Sequence, residues 1–198
     1  MLKKLGFINI IYLALCYLLT KIFYNKQKLI RFPFEVRGKR FILFGNRLST
    51  GRYCRIEAYP ENNEKVLFIG DDCQINDSVH IVAKQQVILK NNVLLASRVF
   101  ISDLNHGSYT GEVHTHPHEI AAERVNYTKP VIIGNNVWVG EGAVILAGVT
   151  VGDNSIIGAN SVVCKDIDAN SIYVGNPAKK IKYYDFELNK WISSAKQS

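Results

Sequence analysis

The chain has 198 residues, 47% of them hydrophobic and 21% charged, which is the range of a globular protein of one domain, or of one domain plus an extension. Its net charge of +7 is unevenly placed: residues 1–40 carry nine Lys or Arg and one Glu, so the remaining 158 residues sum to −1. The basic pI of 9.2 is therefore no argument for nucleic acid, and no recognition helix or aromatic–basic RNA motif is present.

Residues 1–40 read as a basic, apolar, helical extension. Lys3 and Lys4 precede an apolar run from Leu5 to Leu19, interrupted only by Gly6 and Asn9. Fifteen helical residues span about 22 Å, short of the roughly 30 Å hydrocarbon core of a bilayer. No small-residue cleavage site follows, so the run is not read as a removable signal. Two readings stay open. Residues 1–31 contact a membrane surface, anchored by Lys21, Lys26, Lys28 and Arg31. Alternatively, the helix packs on its own protein or on a neighbouring subunit.

From residue 41 to 182 a period of six takes over. Phe44, Thr50 and Ile56 are six apart, as are Ile69, Ile75 and Ile81, then Leu89, Leu95 and Ile101. Ile133, Val139, Ile145, Val151, Ile157 and Val163 continue without a slip. The fourth residue after each is restricted too: Val137, Ala143, Val149, Ser155, Ser161. Ordinary strands of period two also put residues six apart on one face, but do not explain the recurring Gly or Asn after the aliphatic residue. Short strands joined by turns, three to a coil of about 18 residues, satisfy both, with coils stacked as parallel strands about 4.8 Å apart. Gly134, Asn135, Gly140, Gly152, Asp153 and Gly158 are assigned to the corners, where positive φ is expected. The four cysteines (Cys16, Cys54, Cys73, Cys164) lack CxxC spacing and read as reduced, mostly buried thiols. Residues 183–198, with Trp191, read as a short C-terminal helical tail.

The repeat stops over residues 102–130, and a long excursion from a compact domain marks a functional arm. It holds four of the five histidines: His106, His114, His116 and His118. His106 lies just beyond the in-register Ile101, where a rigid coil can position it, and an imidazole suits removal of a proton from a hydroxyl. His114, His116 and His118 are spaced by two and suit Zn²⁺ on an extended strand, although Pro117 and the lack of supporting partners weaken that reading. Arg124 is a candidate anchor for the arm, Glu123 is read as solvated, and His80 as an ordinary strand residue. Trp138 occupies a turn-facing position in a coil of small residues, where exposure is costly. Ala143 and Ala159 are small enough for a long polar ligand to lie close.

The recurring [Ile/Leu/Val]-Gly-x-x-x-x pattern and the closing stretch "GNNVWVGEGAVILAGVTVGDNSIIGANSVVCKDI…VGNPAKKIK" resemble the hexapeptide-repeat O-acetyltransferases, of the maltose/galactoside type and of the type that modifies lipopolysaccharide or capsule sugars. The resemblance covers about residues 65–182. It implies an all-β, left-handed parallel β-helix, a homotrimer with sites between neighbouring chains, and acetyl-CoA as acyl donor with no metal. It places His106 on the family's catalytic histidine and Asn76 on its acceptor-binding asparagine. The family's "DHxHG" reads Asp103-Leu104-Asn105-His106-Gly107 here, so its first histidine has become Leu104. Asp103 is then a candidate for orienting the imidazole, and Asn105 and Trp138 join Asn76 on the acceptor side. Ala96, Ala159, Cys164 and Lys179 match CoA contacts, and Lys165 and Lys180 stand near enough to meet phosphate charge. The expected reaction is transfer of acetyl from acetyl-CoA to a hydroxyl of a surface-glycan precursor, in the cytoplasm at the inner face of the membrane. The alternatives are N-acetylation of an amino-sugar nucleotide, a zinc carbonic-anhydrase-like trimer, and a noncatalytic scaffold.

Overall fold

The computed structural model describes residues 6–194. Residues 1–5 and 195–198, the two extremes of the extension and the tail, lie outside the described residues.

Three sheets form the sides of a prism, their strands parallel except at the C-terminal end of the eight-stranded one. Stacking the coils aligns the period-six residues into three columns. On the six-stranded face the column is Ile56, Ile81, Ile101, Ile145 and Val163. On the eight-stranded face it is Thr50, Ile75, Leu95, Val139 and Ile157. On the five-stranded face it is Phe44, Ile69, Leu89, Ile133 and Val151. Nearly all are buried, as are the fourth-position residues Val137, Ala143, Val149, Ser155 and Ser161. Each coil exposes an apolar edge until the next covers it, so stacking builds one continuous core.

The corners correct one expectation. Gly134, Gly140, Gly152 and Gly158 do not have positive φ. They are glycine because the next coil passes too close: a Cβ on Gly152 would lie 2.3 Å from the Ala169 nitrogen, and one on Gly140 2.5 Å from the Ala159 nitrogen. The left-handed residues come two positions later, at Asn136, Gly142, Gly148, Asn154 and Asn160. Asparagine tolerates that conformation and stacks as well: Asn136 Nδ2 donates to Asn154 Oδ1 (3.0 Å), and Asn154 Nδ2 to Asn170 Oδ1 (2.9 Å). Asn135 and Asp153 have a third role. Their side-chain oxygens accept the backbone N–H of Asn91 (3.2 Å) and Asn135 (2.8 Å), riveting each corner to the coil before it.

Both ends of the stack are closed, because an open β-helix end would leave an unpaired, aggregation-prone edge. At the N-terminal end lies α1 (Phe7–Phe23). Cys16 and Thr20 face inward; the Thr20 hydroxyl donates to the Cys16 carbonyl (2.6 Å) and accepts the Ile30 N–H (2.8 Å). Packing on its own protein is thus observed for one face of α1. The prism begins earlier than residue 41: Phe34–Arg37 already pairs in parallel with Cys54–Ala58, and Ile30 is fully buried. Ile30 and Val36 keep the six-residue spacing, in register with Thr50 and Ile56, and only the step from Val36 to Phe44 is longer.

The C-terminal end corrects a second expectation. The tail is an antiparallel hairpin of Lys179–Asp185 with Lys190–Ser193, and not a helix. Asp185 Oδ1 accepts the N–H of Glu187 and Leu188 (both 2.9 Å), Asn189 takes φ 52°, and Tyr184 and Trp191 meet edge to face at 5.3 Å across the strands. That side-chain turn and one cross-strand aromatic pair outweigh a helix-compatible composition.

Candidate active site

The arm leaves the prism at the corner between the six- and five-stranded faces and is tied down at its root. Asp103 is fully buried. Its carboxylate accepts four short bonds from the amides of Lys84 (2.9 and 3.0 Å), Gln85 (2.7 Å) and Gln86 (2.7 Å), in the coil below. Both oxygens are thereby engaged, so Asp103 positions the root of the arm and does not touch the imidazole of His106, contrary to the expectation for it. A buried carboxylate needs such partners, and these amides supply them.

Leu104–His106 then pairs antiparallel with Asn126–Thr128, forming a ribbon. His106 lies opposite Asn126, and Leu104 opposite Thr128. Directly opposed residues share a face, as do residues two apart, so Leu104, His106, Asn126 and Thr128 project together. Asn105, opposite Tyr127, projects from the other side. Asn105, expected on the acceptor side, is thus turned away from His106 by the alternation of the strand. On the His106 side, Asn126 and Thr128 line a polar cleft of about 280 Å³ with Glu61, Asn62, Lys84 and Gln85. Lys84 and Glu61 pair across it at 2.9 Å, and the Asn126 Oδ1 is buried without a partner among the described residues.

Arg124 holds the rest of the arm. Its guanidinium donates to the Tyr109 hydroxyl (2.9 Å) and to the carbonyls of Pro117 (3.2 Å) and Glu119 (3.1 Å). The Tyr109 hydroxyl in turn donates to the His106 carbonyl. Glu123 is exposed. The other arm histidines are not gathered: His114 Nε2 lies 3.0 Å from the Gly111 carbonyl, while His116 and His118 meet edge to face. Among the described residues no group of three or more His, Cys, Asp or Glu is placed to hold a metal ion.

A second set of predicted residues lies on the corner between the eight- and six-stranded faces. The N–H of Asn76 donates to Leu95, that of Ala96 to Val139, and that of Gly140 to Ile157, each one coil on (2.8–2.9 Å). Asn76, Ala96, Gly140 and Gly158 thus form one column, with the exposed Ala159 beside it. The glycines of this column are packed by the next coil: a Cβ on Gly140 would lie 2.5 Å from the Ala159 nitrogen, and one on Gly158 2.6 Å from the Val174 Cγ1. Trp138 stands on the adjoining face, in register with Leu94 and Ile156, and is 49% exposed. Ala143 differs from the expectation: it is fully buried in the core, because its fourth-position register points its methyl inward.

Cys164 and Lys165 are exposed on the arm's corner, and Lys179 is exposed on the terminal hairpin. Lys180 is ion-paired to Asp168, which lifts the ammonium's pKa and holds the carboxyl below its usual range, so its charge already has a partner. Burial pushes the Cys73 thiol up to about 11 and raises Cys54 likewise, which makes both unsuited to act as nucleophiles.

One polar centre was not legible in the sequence. Glu57 projects from the six-stranded face yet is only 4% exposed. His80 Nε2 lies 2.6 Å from its carboxylate, Arg37 2.9 Å and Arg55 3.2 Å, and the Tyr59 hydroxyl donates to it at 2.9 Å. Burial opposes its charge, but the His80 and Tyr59 hydrogen bonds hold its pKa below 4.5. Only the parallel registers of three strands bring these residues together.

The sequence matches the family described as bacterial transferase hexapeptide (six repeats) over residues 130–165. It is 37% identical, over 96% of this chain and 95% of the other, to WbbJ of Escherichia coli K12, provisionally named a lipopolysaccharide biosynthesis O-acetyl transferase. A solved galactoside acetyltransferase in complex with coenzyme A is 33% identical, with a TM-score of 0.52 over 74% of this chain and 70% of that one. The N-acyltransferase AntD of Bacillus cereus, 22% identical with a TM-score of 0.66 over 82% of this chain and 84% of its own, shares the fold. The chain belongs to the hexapeptide-repeat acetyltransferases, and its fold is the family's left-handed parallel β-helix.

Proposed function

We propose that this acetyltransferase moves the acetyl group of acetyl-CoA to a hydroxyl of a saccharide, a precursor of a surface glycan such as lipopolysaccharide, capsule or exopolysaccharide. The observation that carries this reading is the shared face of the arm ribbon, where His106 and the polar cleft lie on one side. The cleft offers amide, hydroxyl, ammonium and carboxylate groups, which recognise a hydroxyl-rich ligand. The likeness to WbbJ over nearly its whole length supports a glycan acceptor. O-acetylation ranks above N-acetylation because WbbJ and the galactoside enzyme exceed 30% identity, while AntD contributes only a fold.

His106 takes the proton from the acceptor hydroxyl as its oxygen attacks the thioester carbonyl. The tetrahedral intermediate collapses, the C–S bond breaks, and the imidazolium returns the proton to the departing thiolate. A pantetheine chain lies along the edge that carries Ala96 and Ala159, with Lys179 at its end, while Cys164 and Lys165 reach it from the neighbouring chain.

The active form is a homotrimer in this reading. Within one chain Asn76, Ala96 and Ala159 stand on one corner, while the His106 arm, Cys164 and Lys165 stand on the next. Neighbours set side by side bring the first corner of one chain to the second corner of another, completing each site. The reaction takes place on the cytoplasmic side, at the inner membrane face, which residues 1–31 contact.

Release of free thiol from acetyl-CoA with a panel of saccharides, followed by mass spectrometry, tests the proposal. A gain of one acetyl group on a glycan hydroxyl is expected. Acetylation of amino-sugar nucleotides alone would replace the O-transfer reading, and no acceptor-dependent release with any sugar would reject it.

A further inference from the structure

We infer that α1 docks flat on an anionic lipid bilayer through the face it turns away from the prism. This deepens the membrane-side location proposed above and rests on it only for the position of the acceptor.

A helix packed on one side of a soluble protein normally carries polar residues on the other. This one does not. The face opposite Cys16 and Thr20 carries Phe7 (76% exposed), Ile8 (81%), Ile11, Leu15, Leu18 (57%) and Ile22 (61%). Lys21 is the one charged residue between Phe7 and Phe23, and its ammonium reaches past the end of the helix to the Gln27 carbonyl at 3.0 Å. So continuous an apolar strip marks a surface that is covered in use.

Charge selects what covers it. From residue 1 to 34 the sequence holds Lys3, Lys4, Lys21, Lys26, Lys28 and Arg31 and not one acid; Arg31 is ion-paired to Asp77 of the next coil at 3.3 Å, which leaves the lysines to set the charge. A second copy set face to face would bring these cations together, whereas an anionic lipid surface complements them. The helix does not span. Its 17 residues reach about 25 Å, and among the described residues no helix is long and apolar enough to cross a membrane. It is also bonded to the first coil through Thr20 with Ile30, and the Tyr12 hydroxyl with the Phe32 carbonyl at 2.7 Å. Because α1 sits on the end of the prism, bonded to the first coil and stacked on Arg52 of the second through Tyr12, docking leaves the arm clear. The strand that leads into the arm, Phe100–Ser102, is the fourth on its face, three coil spacings or about 14 Å above the first.

The test is co-sedimentation of the full chain with vesicles of phosphatidylcholine alone and of phosphatidylcholine with one quarter phosphatidylglycerol. Binding to the anionic vesicles at least tenfold above the neutral ones is expected. The double variant Leu18→Glu/Ile22→Glu should lose tenfold or more of it, and Lys26→Glu/Lys28→Glu should lose the preference for phosphatidylglycerol while keeping the apolar face. Thiol release with a soluble acceptor should be unchanged in both, so a failed docking result and a failed acetyl-transfer result are told apart. No binding to either vesicle overturns the inference, as does undiminished binding by Leu18→Glu/Ile22→Glu. A concentration-dependent doubling of mass in light scattering, abolished by that variant and without vesicle binding, assigns the face to a second copy instead.

Discussion

His106 lies directly across the arm ribbon from Asn126, and the pairing of these two residues turns the imidazole and the polar cleft to the same side. In the proposed mechanism His106 moves the proton of the acceptor hydroxyl. His106→Ala should lower turnover by about 10²–10⁴-fold with little change in stability, since the ring is exposed. Steady-state kinetics alongside light scattering check this; near-normal turnover would remove His106 from the chemistry.

Asp103 acts on the arm and not on the ring. Asp103→Asn replaces a carboxylate that accepts four amide bonds with a group that must point N–H at one of them, and should destabilise the fold by about 2–3 kcal/mol. The loss of activity should be smaller than for His106→Ala, with the pH profile unmoved. Denaturant melts and a pH–rate series measure both; a displaced profile would return Asp103 to a role on the imidazole.

Close approach, and not backbone freedom, demands glycine at the corners. Gly152→Ala would press a methyl onto the Ala169 backbone and should cost about 1–3 kcal/mol. An unchanged melting temperature would show that the coils separate more easily than their packing indicates.

Glu57 ties acid stability to the six-stranded face. Its folded pKa lies below its ordinary 4.5, so its contribution is full above that value and is lost as pH falls through the folded pKa. Wild type should therefore lose more stability than Glu57→Gln on acidification below about pH 4.5. At neutral pH Glu57→Gln should be less stable by about 1–3 kcal/mol, because Arg37 and Arg55 lose a charged acceptor. Thermal melts across a pH series read both effects, and parallel curves would refute the assignment.

The amino-acid order alone determined the prism, the three columns of aliphatic residues and the interruption that bears His106. A stacked coil repeats one local geometry, and each turn writes the same side-chain requirement into the chain at a fixed interval. The uneven charge and the apolar start of the chain were legible for a similar reason, being properties of composition. Tertiary structure decided the rest. The amides that claim Asp103 belong to another coil, and the partner that orients the His106 strand returns only after the whole arm has been traversed. The hairpin at the C-terminus depends on one turn and one aromatic pair, which leave no period to detect. Which face of α1 is covered, and which is left apolar and open, follows from where the helix lands on the first coil. Such pairings are set by contacts between distant segments, whose free energy belongs to the folded chain and has no local pattern to announce it.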